Sequence, residues 1–126
     1  MLDHVSIAVS DIGRSLAFYE QALAPLGIKR LMAYGGTEDV PDHIGFGSDQ
    51  KPYLWIGKGV AISGYVHIAL GAPDRATVDA FYKAALAAGG VDNGAPGLRP
   101  QYHPGYYGAF VLDPDGCNLE AVHHNF

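Results

Sequence analysis

An internal repeat constrains the fold more than any other feature of the sequence. When the chain is shifted by 63 positions, residues 4–27 align with residues 67–90. The identical pairs are His4 with His67, Asp11 with Asp74, Ala17-Phe18-Tyr19 with Ala80-Phe81-Tyr82, Ala22-Leu23-Ala24 with Ala85-Leu86-Ala87, and Gly27 with Gly90. Repetition of this length predicts two similar halves, each built from one supersecondary unit. Because each copy begins with a histidine, we expect the two halves to bring His4 and His67 to one point.

The composition limits the classes of partner. The chain has 8 Lys and Arg against 13 Asp and Glu, a net charge of -5, so it lacks the basic surface that nucleic acid requires. No apolar run is long enough to cross a bilayer, and the first residues lack the basic segment of a signal peptide. The single cysteine, Cys117, excludes an intrachain disulfide and fits a reducing compartment. We therefore expect one cytoplasmic domain, residues 1–126, that binds neither nucleic acid nor membrane.

The first half has the pattern β-α-β-β-β. His4, Ser6 and Ala8 alternate with Val5, Ile7 and Val9, which predicts a strand over 3–9 with one apolar face. Ser10 or Asp11 is expected to cap a helix over about 13–24, which ends at Pro25 and Gly27. Further strands are predicted at 28–34, 43–47 and 53–57. This first module covers about residues 1–58.

The second half repeats the same order over about residues 65–126. The pattern predicts strands at 65–70, 91–93, 107–112 and 118–123, with a helix over 74–88. The Gly- and Pro-rich stretch 94–105 is expected to be a loop. Asp113-Pro114-Asp115-Gly116 is typical of a tight turn, since Pro fixes φ and Gly accepts a positive φ. Residues 58–64, which include Ser63 and Gly64, are the expected linker.

Three residues form a candidate metal site: His4, His67 and Glu120. An ionised carboxylate among apolar neighbours is costly unless it is paired or bound to metal, and Glu120 stands between Leu119 and Ala121. Two imidazoles and one carboxylate suit Fe(II), Mn(II) or Zn(II) and leave coordination positions open for substrate. Simpler roles remain open: a histidine in a strand is often structural or exposed. Glu120 could instead pair with one of four arginines, Arg14, Arg30, Arg75 or Arg99.

Several segments together resemble the vicinal oxygen chelate superfamily, the group of glyoxalases, bleomycin resistance proteins and extradiol dioxygenases. They are the first histidine strand followed by SDIGRSLAFYEQALAPLG, the second histidine strand, and the ending FVLDPDGCNLEAV. The resemblance covers nearly the whole chain. It implies an α+β fold of two tandem βαβββ modules that form a cup-shaped mixed sheet. In the superfamily that the chain resembles, modules pair either within one chain or across a homodimer. We expect a homodimer here.

The resemblance also assigns the metal ligands. It places them at His4, His67 and Glu120, with a fourth position near Trp55, a residue that cannot bind metal. This pattern is similar to the three-ligand sites of extradiol dioxygenases and fosfomycin-resistance thiol transferases. It departs from the four-ligand site of glyoxalase I, whose glutathione-binding arginine is also missing after the first histidine. One divalent ion is implied: iron, manganese, zinc or nickel.

The segment HPGYYGAFVLDPDGCNLE is similar to the extradiol dioxygenase signature. His103 matches the histidine near the metal in that signature, and Phe110 stands where a tyrosine is expected. Tyr102, Tyr106 or Tyr107 could supply the missing hydroxyl. We predict His103, Tyr106 and Tyr107 as catalytic residues, and Trp55, Tyr102 and Phe110 as substrate contacts.

Three functions follow from these predictions. The first is a metal-dependent lyase or dioxygenase that acts on a small, oxygen-rich organic substrate chelated at His4, His67 and Glu120. The second is a metal-free binding protein similar to the bleomycin-resistance type, with an aromatic cup wall that includes Trp55. The third is a thiol transferase of the fosfomycin-resistance type, which ranks lower because no lysine and arginine cluster for a phosphonate is evident.

Overall fold

The two halves of the chain fold into equivalent units. The computed structural model describes residues 1–62 and 65–126, and over these ranges it contains eight strands and two α-helices. In chain order they are β1 (Val5–Val9), α1 (Ile12–Leu23), β2 (Lys29–Tyr34), β3 (His43–Ser48), β4 (Lys51–Lys58), β5 (His67–Gly71), α2 (Arg75–Ala87), β6 (Val91–Leu98), β7 (Tyr106–Leu112) and β8 (Asn118–His124). A single 3₁₀ turn, Ala24–Leu26, extends α1.

Each module contains one four-stranded mixed sheet. The strand order is β1-β4-β3-β2 in the first sheet and β5-β8-β7-β6 in the second. The first strand of each module pairs parallel with the last, and the other neighbours pair antiparallel. A parallel pair requires a long connection, and in each module the helix and the two strands that follow it form that connection. The predicted α+β class with two tandem βαβββ modules is confirmed.

Both helices begin at equivalent aspartates. The side chain of Asp11 accepts a hydrogen bond from Arg14 N at 3.0 Å, and that of Asp74 accepts one from Thr77 N at 2.7 Å. Each carboxylate thus satisfies a backbone donor that the first helical turn leaves free. The repeat therefore extends to the capping residues. No helix in the two described ranges is long and apolar enough to cross a membrane.

The largest departure from the sequence prediction lies at β6. A strand was expected at 91–93, followed by a loop from Gly94 to Gly105, but β6 continues to Leu98. Its pairing with β7 shifts register between Asp92 and Gly94 and again between Gly94 and Gly97. Because β6 is the edge strand of its sheet, Pro96 can occupy it without leaving a neighbouring strand short of a donor. The expected loop is therefore shorter and begins after the strand.

Other strand boundaries also differ from the prediction: β4 begins at Lys51, two residues early, and β5 begins at His67, two residues late. β1 begins at Val5, so His4 lies just before the strand rather than within it. β4 runs through Lys58, so the expected linker begins one residue later. Ser63 and Gly64, which belong to that linker, lie outside the described residues.

The hydrophobic core lies on the helix-facing side of both sheets. Alternate strand residues point into it, as the period of two requires. The strand members of the core that are fully or almost fully buried are Val9, Ile44, Phe46, Leu54 and Ile56 in the first sheet, with Ala109, Val111, Leu119 and Ala121 in the second. Phe18, Tyr19 and Phe81 cover them from the helices. Each such large side chain contributes about 1.5–3 kcal/mol when it is removed from water.

The helices and one turn, rather than strand pairing, join the modules. β1 and β5 are each the edge of their own sheet, and in the described part of the chain no strand of one sheet pairs with the other. α1 packs against α2. The buried Tyr19 donates a hydrogen bond to Asp113 Oδ2 at 2.6 Å, and Ser10 N donates to Asp115 at 3.0 Å. The predicted turn at 113–116 therefore ties the second module to the first.

Candidate functional site

The outer face of each sheet, defined here as the face turned away from the helices, is not covered by a helix. In β8, Leu119 and Ala121 belong to the core, so Glu120 between them lies on the outer face. The same alternation in β7 places Tyr106 and Phe110 on that face. Glu120 is nevertheless fully buried, because side chains on the outer face cover it. A buried carboxylate on an otherwise open face is the feature that defines this site.

Both oxygens of Glu120 have a partner. Oε1 lies 2.8 Å from Nε2 of His67, and Oε2 accepts a hydrogen bond from the hydroxyl of Tyr106. These contacts offset the cost of burying the carboxylate. Burial, together with the hydrogen bond to Glu120, raises the pKa of Tyr106 well above its usual value, so the phenol stays protonated.

Each ring nitrogen of His67 has one hydrogen-bonding neighbour, and the two neighbours are linked through the tautomer. The hydroxyl of Tyr65 lies 3.2 Å from His67 Nδ1 and is its only hydrogen-bonding neighbour among the described residues. If Tyr65 donates to Nδ1, then Nε2 carries the proton and donates to Glu120. Gly108, on the neighbouring strand β7, leaves the space that the Glu120 carboxylate fills. A Cβ at position 108 would lie 3.0 Å from Glu120 Oε2.

His4 belongs to the other module and is not part of this cluster within one chain. Its Nδ1 lies 2.7 Å from Asp3 Oδ1, and its side chain is 54% exposed. Lys51 Nζ also contacts Asp3 at 2.9 Å, and the two neighbours lower the pKa of that aspartate. Across residues 1–62 and 65–126, no three His, Cys, Asp or Glu side chains lie together as a metal-binding group. The chain thus brings His67 and Glu120 together and leaves His4 apart.

The other predicted residues of the second module divide between two locations. Phe110 packs near His67, with 6.0 Å between ring centroids, and Tyr102 contacts Tyr106 at 4.8 Å. His103 stands beside Tyr106 at 5.6 Å, and its Nε2 lies 2.9 Å from His124 Nδ1. Tyr107, by contrast, points to the helix side, where its hydroxyl donates to Asp79 at 2.7 Å. The cluster therefore contains Tyr106 and its neighbours but not Tyr107.

The outer face of the first sheet is aromatic. Trp55 lies there with Tyr34, whose ring is 5.8 Å away, and Tyr34 stacks on His43 at 4.5 Å with an interplanar angle of 16°. Sequence analysis singled out Trp55 but not Tyr34. The available signal for Trp55 was its position between the apolar Leu54 and Ile56, which alternation sends to the opposite face. The β2–β3 register that brings Tyr34 opposite His43 is visible only in the structure.

Strand register shows that Trp55 and Glu120 are equivalent. Ser6 pairs with Trp55 in the first sheet, and Ala69 pairs with Glu120 in the second. Ser6 and Ala69 are themselves 63 residues apart, as the repeat requires. The position that holds a buried carboxylate in one module therefore holds an indole in the other.

The comparisons with known proteins agree with this architecture. The chain belongs to the glyoxalase/bleomycin resistance protein/dioxygenase superfamily, whose family model matches residues 1–121. A search of curated proteins returns no significant match. Among solved structures, the chain is similar to a glyoxalase/bleomycin resistance protein from Albidiferax ferrireducens T118, with 27% identity, a TM-score of 0.81 and 98% coverage of both chains.

Two further solved structures share the fold at lower identity. A lactoylglutathione lyase from Agrobacterium tumefaciens is 18% identical with a TM-score of 0.69, over 98% of this chain and 92% of that one. TioX from Micromonospora sp. ML1 is 17% identical with a TM-score of 0.71, over 99% of both chains. At these identities the likeness concerns the fold alone.

Proposed function

We propose that this chain is a divalent-metal-dependent enzyme that acts on a small, oxygen-rich organic substrate. His67 and Glu120 of one copy and His4 of a second copy would hold the ion. The observation that carries the proposal is the fully buried Glu120, whose Oε1 lies 2.8 Å from His67 Nε2 on an outer face that no helix covers. The family generally uses a divalent metal ion, which supports the same assignment.

The chemistry of these two donors fits a metal ion. Ligand atoms that each bind one ion at about 2.1 Å lie roughly 3 Å apart when they are adjacent in the coordination sphere. The 2.8 Å between His67 Nε2 and Glu120 Oε1 is close to that spacing. Tyr106 occupies Oε2, so Glu120 would bind through one oxygen. For Nε2 to bind an ion, the imidazole proton must lie on Nδ1, where the hydroxyl oxygen of Tyr65 can accept it.

The third donor is the reason for a second copy. His4 lies at the start of β1, and β1 is the free edge of a sheet that does not pair with the second sheet within the chain. A homodimer in which the first sheet of one copy faces the second sheet of the other would bring His4 to His67 and Glu120. Most soluble homo-oligomers have this kind of closed two-fold symmetry.

The residues around the ion have distinct tasks in this proposal. A bound divalent ion supplies a Lewis acid that polarises substrate oxygens. Tyr106 stays protonated because its pKa is raised, and its hydrogen bond to Oε2 would hold Glu120 in place. His103 stands beside Tyr106, and Phe110 and Tyr102 supply apolar contacts around it. The single cysteine, Cys117, is buried and unpaired, in keeping with a cytoplasmic protein.

Metal analysis tests the proposal directly. Protein purified without chelator, and then incubated with iron, manganese, zinc or nickel, should retain one ion per site, and H67A and E120Q should lose it. H123Q is a suitable control, since His123 contacts the backbone oxygen of Ala72 at 3.1 Å, outside the cluster. Absence of binding with every ion would disprove the metal-dependent function.

Mixing two inactive variants tests the contribution of the second copy. H4A and H67A should each lack the site. When they are mixed and exchanged at equal amounts, random pairing of two-fold dimers restores about a quarter of the sites. If His4 and His67 of the same chain bound one ion, no mixture would recover metal binding.

A metal-free binding protein is the second candidate, and the aromatic outer face of the first sheet favours it. Trp55 and Tyr34 lie where an aromatic ligand could stack, and they need no ion. Thermal stabilisation by such a ligand that is equal with and without chelator, in a protein that binds no metal, would support this function over the enzyme.

A further inference from the structure

We infer that Arg99 binds an anionic oxygen group of the substrate, a carboxylate or a phosphoryl group, on the outer face of the second sheet. This names a feature of the substrate of the proposed enzyme and rests on that proposal, because the other end of the same molecule would reach the ion at His67 and Glu120. Arg99 follows directly after β6, the edge strand of this sheet.

The guanidinium of Arg99 lies on the face that carries the buried carboxylate. Its Cζ is 5.4 Å from the ring centroid of Phe110, and that ring is 6.0 Å from the ring of His67. Phe110 belongs to the outer face, where it pairs with Glu120 across β7 and β8. The ring of Phe110 therefore has the cation of Arg99 as one neighbour and the candidate metal ligand His67 as another.

Two glycines of β6 leave the space that the guanidinium occupies. A Cβ at Gly94 would lie 3.2 Å from Nη2 of Arg99, and a Cβ at Gly97 would lie 3.2 Å from Nη1. Gly97 pairs with Gly108, whose own Cβ would lie 3.0 Å from Glu120 Oε2. Because the Cβ positions of paired residues are about 5 Å apart, Arg99 Nη1 and Glu120 Oε2 are at most about 12 Å apart. A small molecule can therefore contact both Arg99 and an ion held by Glu120.

The charge of Arg99 has no carboxylate partner in the described part of the chain. None of the ion pairs there includes Arg99, and Glu120 is paired with His67 instead. Nη2 of Arg99 donates to Ala95 O at 2.7 Å, and its backbone N donates to Tyr106 O at 2.8 Å. These two bonds hold the residue in place at the end of β6. A guanidinium carries five N–H donors, so most of them remain for a ligand.

The ion and Arg99 together define the class of substrate. A guanidinium presents parallel N–H donors that match two oxygens of a carboxylate or phosphoryl group, and such charge-assisted bonds are stronger than neutral ones. Because Arg99 is already held in place, less side-chain entropy is lost when it binds. The expected substrate is a small acid that has chelating oxygens at one end and a carboxylate or phosphoryl group at the other.

Matched pairs of 2-oxo acids test the inference on metal-loaded protein. The 2-oxo carboxylate end of each probe can chelate an ion. 2-Oxoglutarate adds a distal carboxylate, and 2-oxopentanoate has a methyl group in its place. Longer pairs vary the distance to Arg99, and analogues with a distal phosphonate distinguish a phosphoryl group from a carboxylate.

Calorimetry measures the affinity of each probe. At least one acid with a distal anion should bind about tenfold or more tightly than its uncharged partner, because a hydrogen bond to a charged group is gained. A preference for the phosphonate over the carboxylate would identify a phosphoryl group. Equal affinities within every pair would overturn the inference.

Arg75 provides a matched control for substitution of Arg99. Its Cζ also lies over an aromatic ring, 5.0 Å from the centroid of Tyr107, whose hydroxyl donates to Asp79 on the helix side. R99Q should abolish the preference for a distal anion and leave metal binding unchanged, whereas R75Q should keep the preference. R99K should keep only part of it, since lysine lacks the planar fork. If a folded R99Q protein, as judged by circular dichroism, retains the full preference, the inference is wrong.

A measurement without metal separates this inference from the proposed function. In the NMR spectrum of metal-free protein, the Nε–H signal of Arg99, assigned by its loss in R99Q, should shift when inorganic phosphate is added, and that of Arg75 should shift less. Such a shift in a protein that binds no ion would support anion binding at Arg99 although the metal-dependent function fails. Metal binding with neither a shift nor a preference for a distal anion would leave the enzyme proposal intact and exclude Arg99 as the anion site.

Discussion

The outer faces of the two sheets occupy equivalent places in the repeat but differ in chemistry. Glu120 in β8 is fully buried, with His67 and Tyr106 as partners, whereas Trp55 at the equivalent place in β4 is partly exposed. The residue opposite differs as well: Phe110 faces Glu120, and Gly45 faces Trp55. A duplicated backbone has thus kept one polar and one aromatic surface. The buried carboxylate of Glu120 lies in the second module, which supplies a partner for each of its two oxygens.

The largest expected difference between the two faces is in metal affinity. E120Q should weaken metal binding by about 100-fold or more, since loss of a ligand should cost at least as much as loss of a residue that only orients a ligand. W55F, at the equivalent place, should have no effect. Equilibrium titration with the preferred ion measures both. If E120Q and W55F lost metal affinity equally, metal binding would not be specific to the outer face of the second sheet.

A carboxylate placed on the aromatic face should make the faces more alike. W55E introduces an oxygen ligand at the position that the four-ligand pattern uses, and we expect metal affinity to rise about tenfold. W55F is again the control for loss of the indole. Urea unfolding establishes whether W55E is folded. If a folded W55E protein binds metal no more tightly than W55F, then position 55 does not lie within reach of the ion.

The hydrogen bond from Tyr106 to Glu120 should have a measurable effect on stability. Y106F leaves one oxygen of a fully buried carboxylate without its donor, which should lower the free energy of unfolding by about 1–3 kcal/mol. Y102F is the control, because Tyr102 is exposed and contacts Tyr106 through its ring. Urea unfolding of metal-free protein measures both. An unchanged midpoint for Y106F would show that Glu120 is satisfied in another way.

The helix caps should differ least between the modules. D11A and D74A each remove an aspartate that accepts from the third residue beyond it, and each should lower Tm by about 2–5 °C. Thermal unfolding followed by circular dichroism measures the shift. A large decrease in Tm for one variant and none for the other would show that the two caps do not contribute equally to stability.

The contribution of Asp74 should also depend on pH. The hydrogen bonds to Thr77 hold the pKa of Asp74 below its ordinary value, so the folded state favours the ionised form. The stabilisation is complete above the ordinary pKa and is lost as pH falls through the lowered one. The Tm difference between the unmodified protein and D74A should therefore be smaller near about pH 3 than at neutral pH. A difference that grows in acid would contradict this assignment.

Local patterns were sufficient to predict most of the fold. The repeat predicted two β-α-β-β-β modules, and Asp11 and Asp74 marked the helix starts within a residue. The prediction was wrong at β6, where Gly94, Pro96 and Gly97 are typical of a loop. An edge position tolerates these residues, and edge position depends on tertiary pairing that a single segment does not encode.

The site was predictable only in part. The spacing of residues in the sequence does not show which strands lie side by side or whether two residues meet within one chain. The repeat singled out His4 and His67, and the apolar neighbours singled out Glu120. Within one chain, His67 and Glu120 lie 2.8 Å apart, whereas His4 lies beside Asp3. Tyr106 and Tyr107 are adjacent in sequence, yet the alternation of β7 sends them to opposite faces. Tyr34 joins Trp55 only through the register of three strands.

The turn at residues 113–116 makes the folding of the two modules interdependent. Asp113 accepts from Tyr19 of the first module and, within its own turn, from the backbone of Asp115 and Cys117. If the polypeptide were cut between the modules and the fragments separated, the Asp113 carboxylate would lose the hydrogen bond from Tyr19. The apolar surface that each helix buries against the other would be exposed to water. Neither fragment should be stable by itself, but the two together should reassemble, so the coding sequence offers a natural split point for complementation assays.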